Sequence, residues 1–417
     1  MKKIDLIIKD AEELVTLAGK KKQPRRGVDE MSDLAIIKDG ALAIDKGAII
    51  AVGTTKELSN KYQALNVISA RNKVVTPGLV DPHTHPVFAG SRDEEFEMRI
   101  HGATYQEISE HGGGIKSTVA HVRKTTKQKL AEQTQPYLQR FLAHGTTTIE
   151  AKSGYGLSLD DEIKLLEVIK ELNHKQPLEL VPTFLGAHDF PDEYRNDKRG
   201  YIRLIKEKML PEIAHRKLAE FCDVFCEKGV FEIDASREIL KEAQKYGFQL
   251  KFHADEFSPL GGAELAAELK AVSADHLMCI SEKGIHQMKD NSVIAVLLPG
   301  TTFAMGLKKY APAFHMIKSG LPIALGTDFN PGTCFSESMP LIMTIACVMM
   351  KLTPAEALTA ATINAAYAIN RADKIGSLEP GKQADIVIWD VPSYRHIAYH
   401  FGVNLVNKVI KKGKIIK

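Results

Sequence analysis

Between residues 79 and 325 the chain alternates short β-type runs with helical patterns, and it does so eight times. The runs are Leu79-Val80-Asp81, Thr146 to Glu150, Leu180 to Leu185, Asp223 to Phe225, Gln249 to Phe252, Val272 to Ala274, Val293 to Leu298 and Ile323 to Leu325. Strands separated by helices pair in parallel, because each crossover returns the chain to the same end of the sheet. Eight such units close a (β/α)8 barrel, so the repeat predicts an α/β fold of TIM type. The intervening helices carry start signals. Ser158 stands three residues before Asp161, and Thr353-Pro354-Ala355-Glu356 is a capping box with proline at the first helical position, opening an alanine-rich helix towards Ile369.

The two ends read differently. Asp39-Gly40 precedes Ala41 to Ile44, and Lys46-Gly47 precedes Ala48 to Gly53, a hairpin pattern. At the other end, turn chemistry over Gly376 to Gln383 leads into a strand over Ala384 to Asp390. The expectation is a small β-sandwich domain built from both termini, residues 1–74 and 376–417, around a barrel over 75–375. Residues 99–144 form an unusually long first crossover in which Gly112-Gly113-Gly114 reads as a flexible break. Such an excursion belongs on the catalytic face, where it would act as a lid.

Charge and cysteine usage exclude several function classes. Lys and Arg number 55 against 52 Asp and Glu, a net +3 that is too near balance for a nucleic-acid partner. The basic cluster Lys20-Lys21-Lys22 with Arg25-Arg26 holds Pro24 and precedes Gly27, which reads as a solvated turn between strands. Five cysteines, an odd count, suit reduced thiols in the cytosol, and Cys222 and Cys226 share one apparent strand as packing residues. Charge returns too soon after Met1-Lys2-Lys3 for a secretory core, and the longest apolar stretch, Leu341 to Met350, is about half a membrane span. A cytoplasmic protein with no membrane partner is expected.

The chemistry lies at the C-terminal ends of the strands. His83 and His85 leave the first; in extended chain, residues two apart point the same way, so both imidazoles reach one ion. His253 ends the fifth strand and Asp328 the eighth. Barrel closure brings these ends around one mouth, turning three weak signals into a set of three histidines and a carboxylate. That set suits one Zn²⁺, the favoured ion, and also Fe, with no organic cofactor. Glu256, three residues beyond His253, and His276, after the sixth strand, supply the acid and base that hydrolysis needs beside an ion. A second ion would need a bridging residue after the fourth strand, where Glu227 or a modified Lys228 stands. The His253–Glu256 spacing favours a single ion.

Longer strings narrow the assignment: Pro86 to Arg99, Glu150-Ala151-Lys152-Ser153-Gly154-Tyr155-Gly156, Phe184-Leu185-Gly186-Ala187-His188, Thr327-Asp328-Phe329-Asn330-Pro331-Gly332-Thr333 and Tyr399-His400-Phe401-Gly402-Val403-Asn404. With the barrel and its ligand set, they resemble the imidazolonepropionase family of the amidohydrolase superfamily over nearly the whole chain. The resemblance implies hydrolysis of the ring amide of 4-imidazolone-5-propanoate to N-formimino-L-glutamate, in histidine degradation. By the family's pattern His83, His85, His253 and Asp328 hold the ion and Arg92 clamps the propionate. Tyr155 and His188 hold the ring, Glu256 meets the ring nitrogens, and Asn330, Gly332 and Thr333 line the pocket. A homodimer is a further family expectation. Arg92 separates this reading from a heterocycle deaminase on the same scaffold, since a neutral purine or pyrimidine needs no such cation.

Overall fold

All eight expected strands are present and pair in the order in which they occur. In the computed structural model, which describes residues 1–19, 21–103, 107–108 and 112–417, they form one parallel sheet. Its strands are β1 (Leu79–Asp81), β2 (Thr146–Lys152), β3 (Glu179–Ala187), β4 (Phe221–Cys226), β5 (Gln249–Ala254), β6 (Ser273–His276), β7 (Ile294–Leu297) and β8 (Ile323–Leu325). Three of them run further than their apolar stretches: β2 continues through Lys152, β5 through His253 and β6 through Asp275 and His276. Each of these polar side chains is buried. Strand side chains alternate between faces, so a charged residue two positions after another inner residue also enters the barrel.

Among the described residues, β1 and β8 close the barrel through their ends, not through a ladder. Asp81 accepts from the Thr327 backbone N–H (3.1 Å) and from its hydroxyl (2.6 Å). Beyond the strands, Asp328 N donates to His83 O (3.0 Å) and His85 N donates to Phe329 O (2.8 Å). The seam therefore runs through the segments that carry His83, His85 and Asp328. On the open edge of β1, Val80 N donates to Ala361 O (2.9 Å). That bond explains a departure from the sequence reading. The alanine-rich helix divides into Pro354–Ala360 and Ile363–Ala368, because the Ala361 carbonyl serves the barrel while the Thr362 hydroxyl bonds Leu358 O.

The termini form two sheets. One orders Ala48–Thr54, Gly40–Asp45, Lys2–Ala11 and Tyr62–Ser69. The other combines Glu13–Val15, Ile36–Ile37 and Val74–Pro77 with Ile386–Trp389, Val406–Lys411 and Lys414–Ile415 from the far end of the chain. Leu6, Ile8, Leu42 and Ile44 of the first pack with Leu14, Val75, Ile386 and Ile410 of the second in one apolar cluster. The expected capping bonds are made: Ser158 accepts from Asp161 N, and Thr353 and Glu356 form a reciprocal box.

Lys21 and Lys22 lie exposed in a bend, as a solvated turn requires, but the segment leads into a helix and not a strand. That helix is Gly27–Ser32, and Arg25 donates from Nη2 to Leu17 O and Ala18 O; Lys20 lies outside the described residues. Of the long first crossover, helices occupy Ile115–Lys124 and Lys127–Ala143. Residues 104–106 and 109–111, part of the expected lid, also lie outside the described residues. The five cysteines are free, Cys222 and Cys226 buried on β4. Among the described residues no helix is long and apolar enough to cross a membrane.

Candidate metal centre and substrate pocket

Pro82 follows β1 and keeps the chain extended, so His83 and His85 turn to the same side, with their Nε2 atoms 3.3 Å apart. Both lie 3.5 Å from Asp328 Oδ1. The ligand atoms of His83, His85 and His253 all fall within 4.8 Å of one another, and so do those of His83, His276 and Asp328. The structure thus brings together the four residues expected to hold an ion, with His276 beside them. Asp328 and His276 take left-handed backbone conformations, φ +53° and +75°, which few side chains adopt. Such conformations persist where surrounding bonds fix them. Asp328 has its backbone held in the seam and its Oδ2 held by the Thr301 hydroxyl at 2.5 Å, leaving Oδ1 towards the histidines.

The donor set fits a metal. His83 Nδ1 meets Asp275 Oδ2 at 2.6 Å, so the proton resides on Nδ1 and the Nε2 lone pair is free for an ion. His253 Nδ1 lies 3.1 Å from Asp223 Oδ2, off hydrogen-bond alignment. His253 Nε2 and His276 Nε2 are buried without any hydrogen-bond partner. Buried polar atoms are ordinarily paired; a cation in this cluster would satisfy His253 Nε2, and a water beside it would meet His276 Nε2. Burial, reinforced by the neighbouring cations and histidines, holds His83 and His85 well below the usual imidazole range and keeps them as neutral donors. Burial also raises Asp328 to about 6 before any ion is bound.

Beneath this cluster lies a set of charges that the sequence reading passed over. Lys152 Nζ is 2.7 Å from both Glu150 Oε1 and Asp223 Oδ2 and 3.8 Å from Asp275 Oδ2. Lys251 Nζ donates to the Ser273 hydroxyl at 2.9 Å, and that hydroxyl donates to Asp275 Oδ1 at 2.6 Å. All five charged side chains are fully buried. Burial opposes the charge on Lys152, but Asp223, Glu150 and Asp275 outweigh it and raise its pKa. Asp223 and Asp275 are thereby held under His253 and His83. The signal was present: charged residues at alternate positions in strands that are otherwise apolar are almost never buried unless paired.

The pocket above the cluster is lined by His85, Arg92, Tyr155, His188, His253, Glu256, His276, Asp328, Asn330 and Thr333, with Ile115, Phe225 and Phe257 as apolar additions. Burial pushes His188 down to about 3, and its Nδ1 sits 2.9 Å from Gly154 O. The ring is therefore neutral, donates from Nδ1 and presents Nε2 as an acceptor. It stacks on His85 with centroids 5.1 Å apart, and Tyr155 packs on it at 5.3 Å. Glu256 Oε1 is 3.5 Å from His276 Nδ1; burial first, then Asp328 and Glu227, raises the Glu256 carboxyl well above its ordinary value.

Gly332 is the one expected pocket residue that stands back from this pocket. A Cβ there would fall 2.1 Å from Arg92 Nη1, so the glycine lets the backbone press on the guanidinium. Asn330 builds that turn: its Oδ1 accepts from Gly332 N (2.8 Å) and Thr333 N (2.7 Å). Glu227, considered as a bridging ligand, has its carboxylate taken by Lys228 N, Phe257 N, Ser258 N and the Ser258 hydroxyl, and Lys228 is exposed. Neither faces the cluster; Glu227 holds the loop that carries Glu256.

Comparison with known proteins places this geometry. The amidohydrolase family model matches residues 74–416. Imidazolonepropionase of Geobacillus kaustophilus (strain HTA426) is 51% identical over 415 residues, 99% of this chain and 97% of its own. That of Alkaliphilus oremlandii (strain OhILAs) is 50% identical over 416 residues, 99% and 98% of the two chains. The chain belongs to the imidazolonepropionase family of amidohydrolases. Solved structures share the fold at low identity. An adenosine deaminase from Xanthomonas campestris superposes with a TM-score of 0.74 at 19% identity, covering 99% of this chain and 93% of that one. A 5-methylcytosine deaminase from Klebsiella pneumoniae gives 0.74 at 15%, covering 99% and 98%. Membership in the imidazolonepropionase family implies a hydrolase acting on a cyclic amide, and the histidine-rich cluster is its candidate metal site.

Proposed function

We propose that the chain hydrolyses the ring amide C–N bond of 4-imidazolone-5-propanoate to give N-formimino-L-glutamate, in histidine degradation. The observation that carries this reading is identity of about half, over essentially the whole length, to imidazolonepropionases. The pocket supports it, with one buried arginine at its rim and the histidine cluster at its floor.

His83, His85, His253 and Asp328 would hold a single ion, Zn²⁺ or Fe, since both accept three neutral imidazoles and a carboxylate. When bound, the ion supplies Lewis acidity that polarises the ring carbonyl and eases deprotonation of water. Arg92 orients the substrate by its propionate, for which a planar guanidinium fork is suited. His188 Nε2 accepts from a ring N–H, and Tyr155 bounds the ring on the other side. His276 Nε2 or Asp328 takes the proton from the attacking water. Glu256 delivers a proton to the ring nitrogen as the C–N bond breaks, which leaves the carbonyl carbon as the new carboxylate. Asn330 and Gly332 shape the turn behind Arg92, and Thr333 lines the wall.

The reading includes a homodimer in the cytoplasm. Exposed Tyr399, Phe401 and Val403 at one edge give an apolar surface of the kind subunits cover, and light scattering in solution tests it. The activity is tested by following the ultraviolet absorbance of freshly prepared 4-imidazolone-5-propanoate with purified protein, before and after chelation. Metal-dependent loss of the chromophore with formiminoglutamate appearing is the expected result. No turnover by protein holding one metal per chain would reject the substrate assignment.

A further inference from the structure

We propose that Glu95 is a positioning residue that fixes the Arg92 guanidinium for the substrate carboxylate and, through the same side chain, anchors the pocket wall at Gly114 and Ile115. The inference deepens the reading above and rests on it. Glu95 is the one buried residue of the helix Asp93–Ile100, whose N-cap is Arg92 itself. Its Oε2 accepts from Arg92 Nε at 2.9 Å and lies 2.8 Å from Nη2. Its Oε1 accepts from Gly114 N at 2.8 Å.

Both ends of this bridge are built around the carboxylate. Gly113 allows its approach, since a Cβ there would stand 3.0 Å from Glu95 Oε1 and 2.8 Å from Ile108. Gly112 and Gly114 take φ of +84° and +75°, which turn the backbone so that the Gly114 N–H faces Glu95. The three glycines, expected as a flexible break, are therefore a fitted cradle. Gly114 is the N-cap of the helix Ile115–Lys124, whose first residue, Ile115, lines the pocket.

At the arginine end, Glu95 takes the edge that carries Nε and Nη2, and Gly332 packs over the guanidinium group. Arg92 Nη2 is buried with no acceptor aligned to it. Of the five N–H donors of the guanidinium, Glu95 engages at most two, so the fork keeps donors for an incoming carboxylate. An arginine free to rotate would lose side-chain entropy on binding; the Glu95 contact settles its orientation beforehand. Positioning and competition make opposite predictions. If Glu95 fixes the fork, removing its charge weakens substrate binding. If Glu95 merely competes for the fork, removing it strengthens binding.

The test is steady-state kinetics of Glu95→Gln and Glu95→Asp beside wild type. The substrates are 4-imidazolone-5-propanoate and its analogue with the tail carboxylate replaced by a primary amide. Gln keeps an oxygen for Gly114 N–H; Asp keeps the charge but is one methylene too short to reach both partners. The expected result is a KM for the natural substrate raised about 10- to 100-fold in both variants, kcat near wild type and KM for the amide analogue little changed. Adding Glu95→Gln to Arg92→Met should raise KM no further. Unchanged KM in folded variants, a fall in KM, or an equal rise for both substrates overturns the role of Glu95. Wild-type protein that leaves 4-imidazolone-5-propanoate intact overturns the functional reading, and this inference with it.

Discussion

Substituting Asp275 by Asn probes how firmly the barrel floor holds the metal centre. The carboxylate meets His83 Nδ1 at 2.6 Å, and both side chains are fully buried. Asn preserves the shape and an acceptor oxygen but removes the charge. A hydrogen bond to a charged group contributes about 1.5–3 kcal/mol against about 0.5–1.5 for a neutral pair. The loss is therefore about 1–2 kcal/mol, or about 5- to 30-fold in the strength with which His83 Nε2 binds an ion. Outer partners of metal-bound histidines cost about 10–100-fold when replaced, so a fall of about 10- to 30-fold in metal affinity is expected. The buried set loses one negative charge and moves from net −1 to neutral, which lowers the attraction for a cation further. Competition against a chromophoric chelator gives the dissociation constant, and denaturation of the metal-free protein reports the fold separately. Affinity within threefold of wild type, in a variant whose metal-free form is as stable as wild type, would refute the claim that Asp275 prepares His83.

Three further outcomes are expected. Glu256→Gln should lower kcat by about 10²–10⁴-fold while metal content by elemental analysis stays at the wild-type value; a matching loss of metal with unchanged turnover per bound metal would remove Glu256 from proton transfer. Gly332→Ala places a methyl carbon 2.1 Å from Arg92 Nη1, and the shift of the guanidinium by about 1 Å or more that relieves this clash should reduce kcat/KM about 100-fold, which initial-rate kinetics would detect. Stripping the metal should abolish turnover and lower the melting temperature in calorimetry, because an ion at a thousand times its dissociation constant stabilises the fold by about 4 kcal/mol.

Much of this was legible in the chain because the barrel repeats one local pattern eight times and its ligands sit where strands stop. His83, His85, His253 and Asp328 could be placed around one mouth from topology alone, without knowing a single distance. What escaped detection depends on contacts distant in sequence. Lys152 meets Asp223 across 71 positions, and Asp275 meets His83 across 192; strand pairing decides which alternate residues share the lumen. The strands were cut short at Lys152 and His253 for the same reason, since a charged side chain looks like a strand end until its partners are known. The bond from Gly114 N–H to Glu95 was not foreseen at the glycine run 112–114, because no local pattern links the two. Glu227 looked like a bridging ligand by position, but its carboxylate is spent on the loop at 257–258.

The seam between the first and last strands also sets a timetable. His83 and Asp328 are 245 positions apart, yet Asp328 N–H bonds the His83 carbonyl. On a ribosome adding about 5–20 residues per second, the segment bearing His83 and His85 waits about 12–50 seconds for its counterpart to be synthesised. Through that interval two of the histidines are already made while the carboxylate that completes their cluster does not yet exist. Assembly of the centre is thus a late event in the birth of the chain, and a truncated product ending before residue 328 carries the histidines but lacks both the clasp and the site.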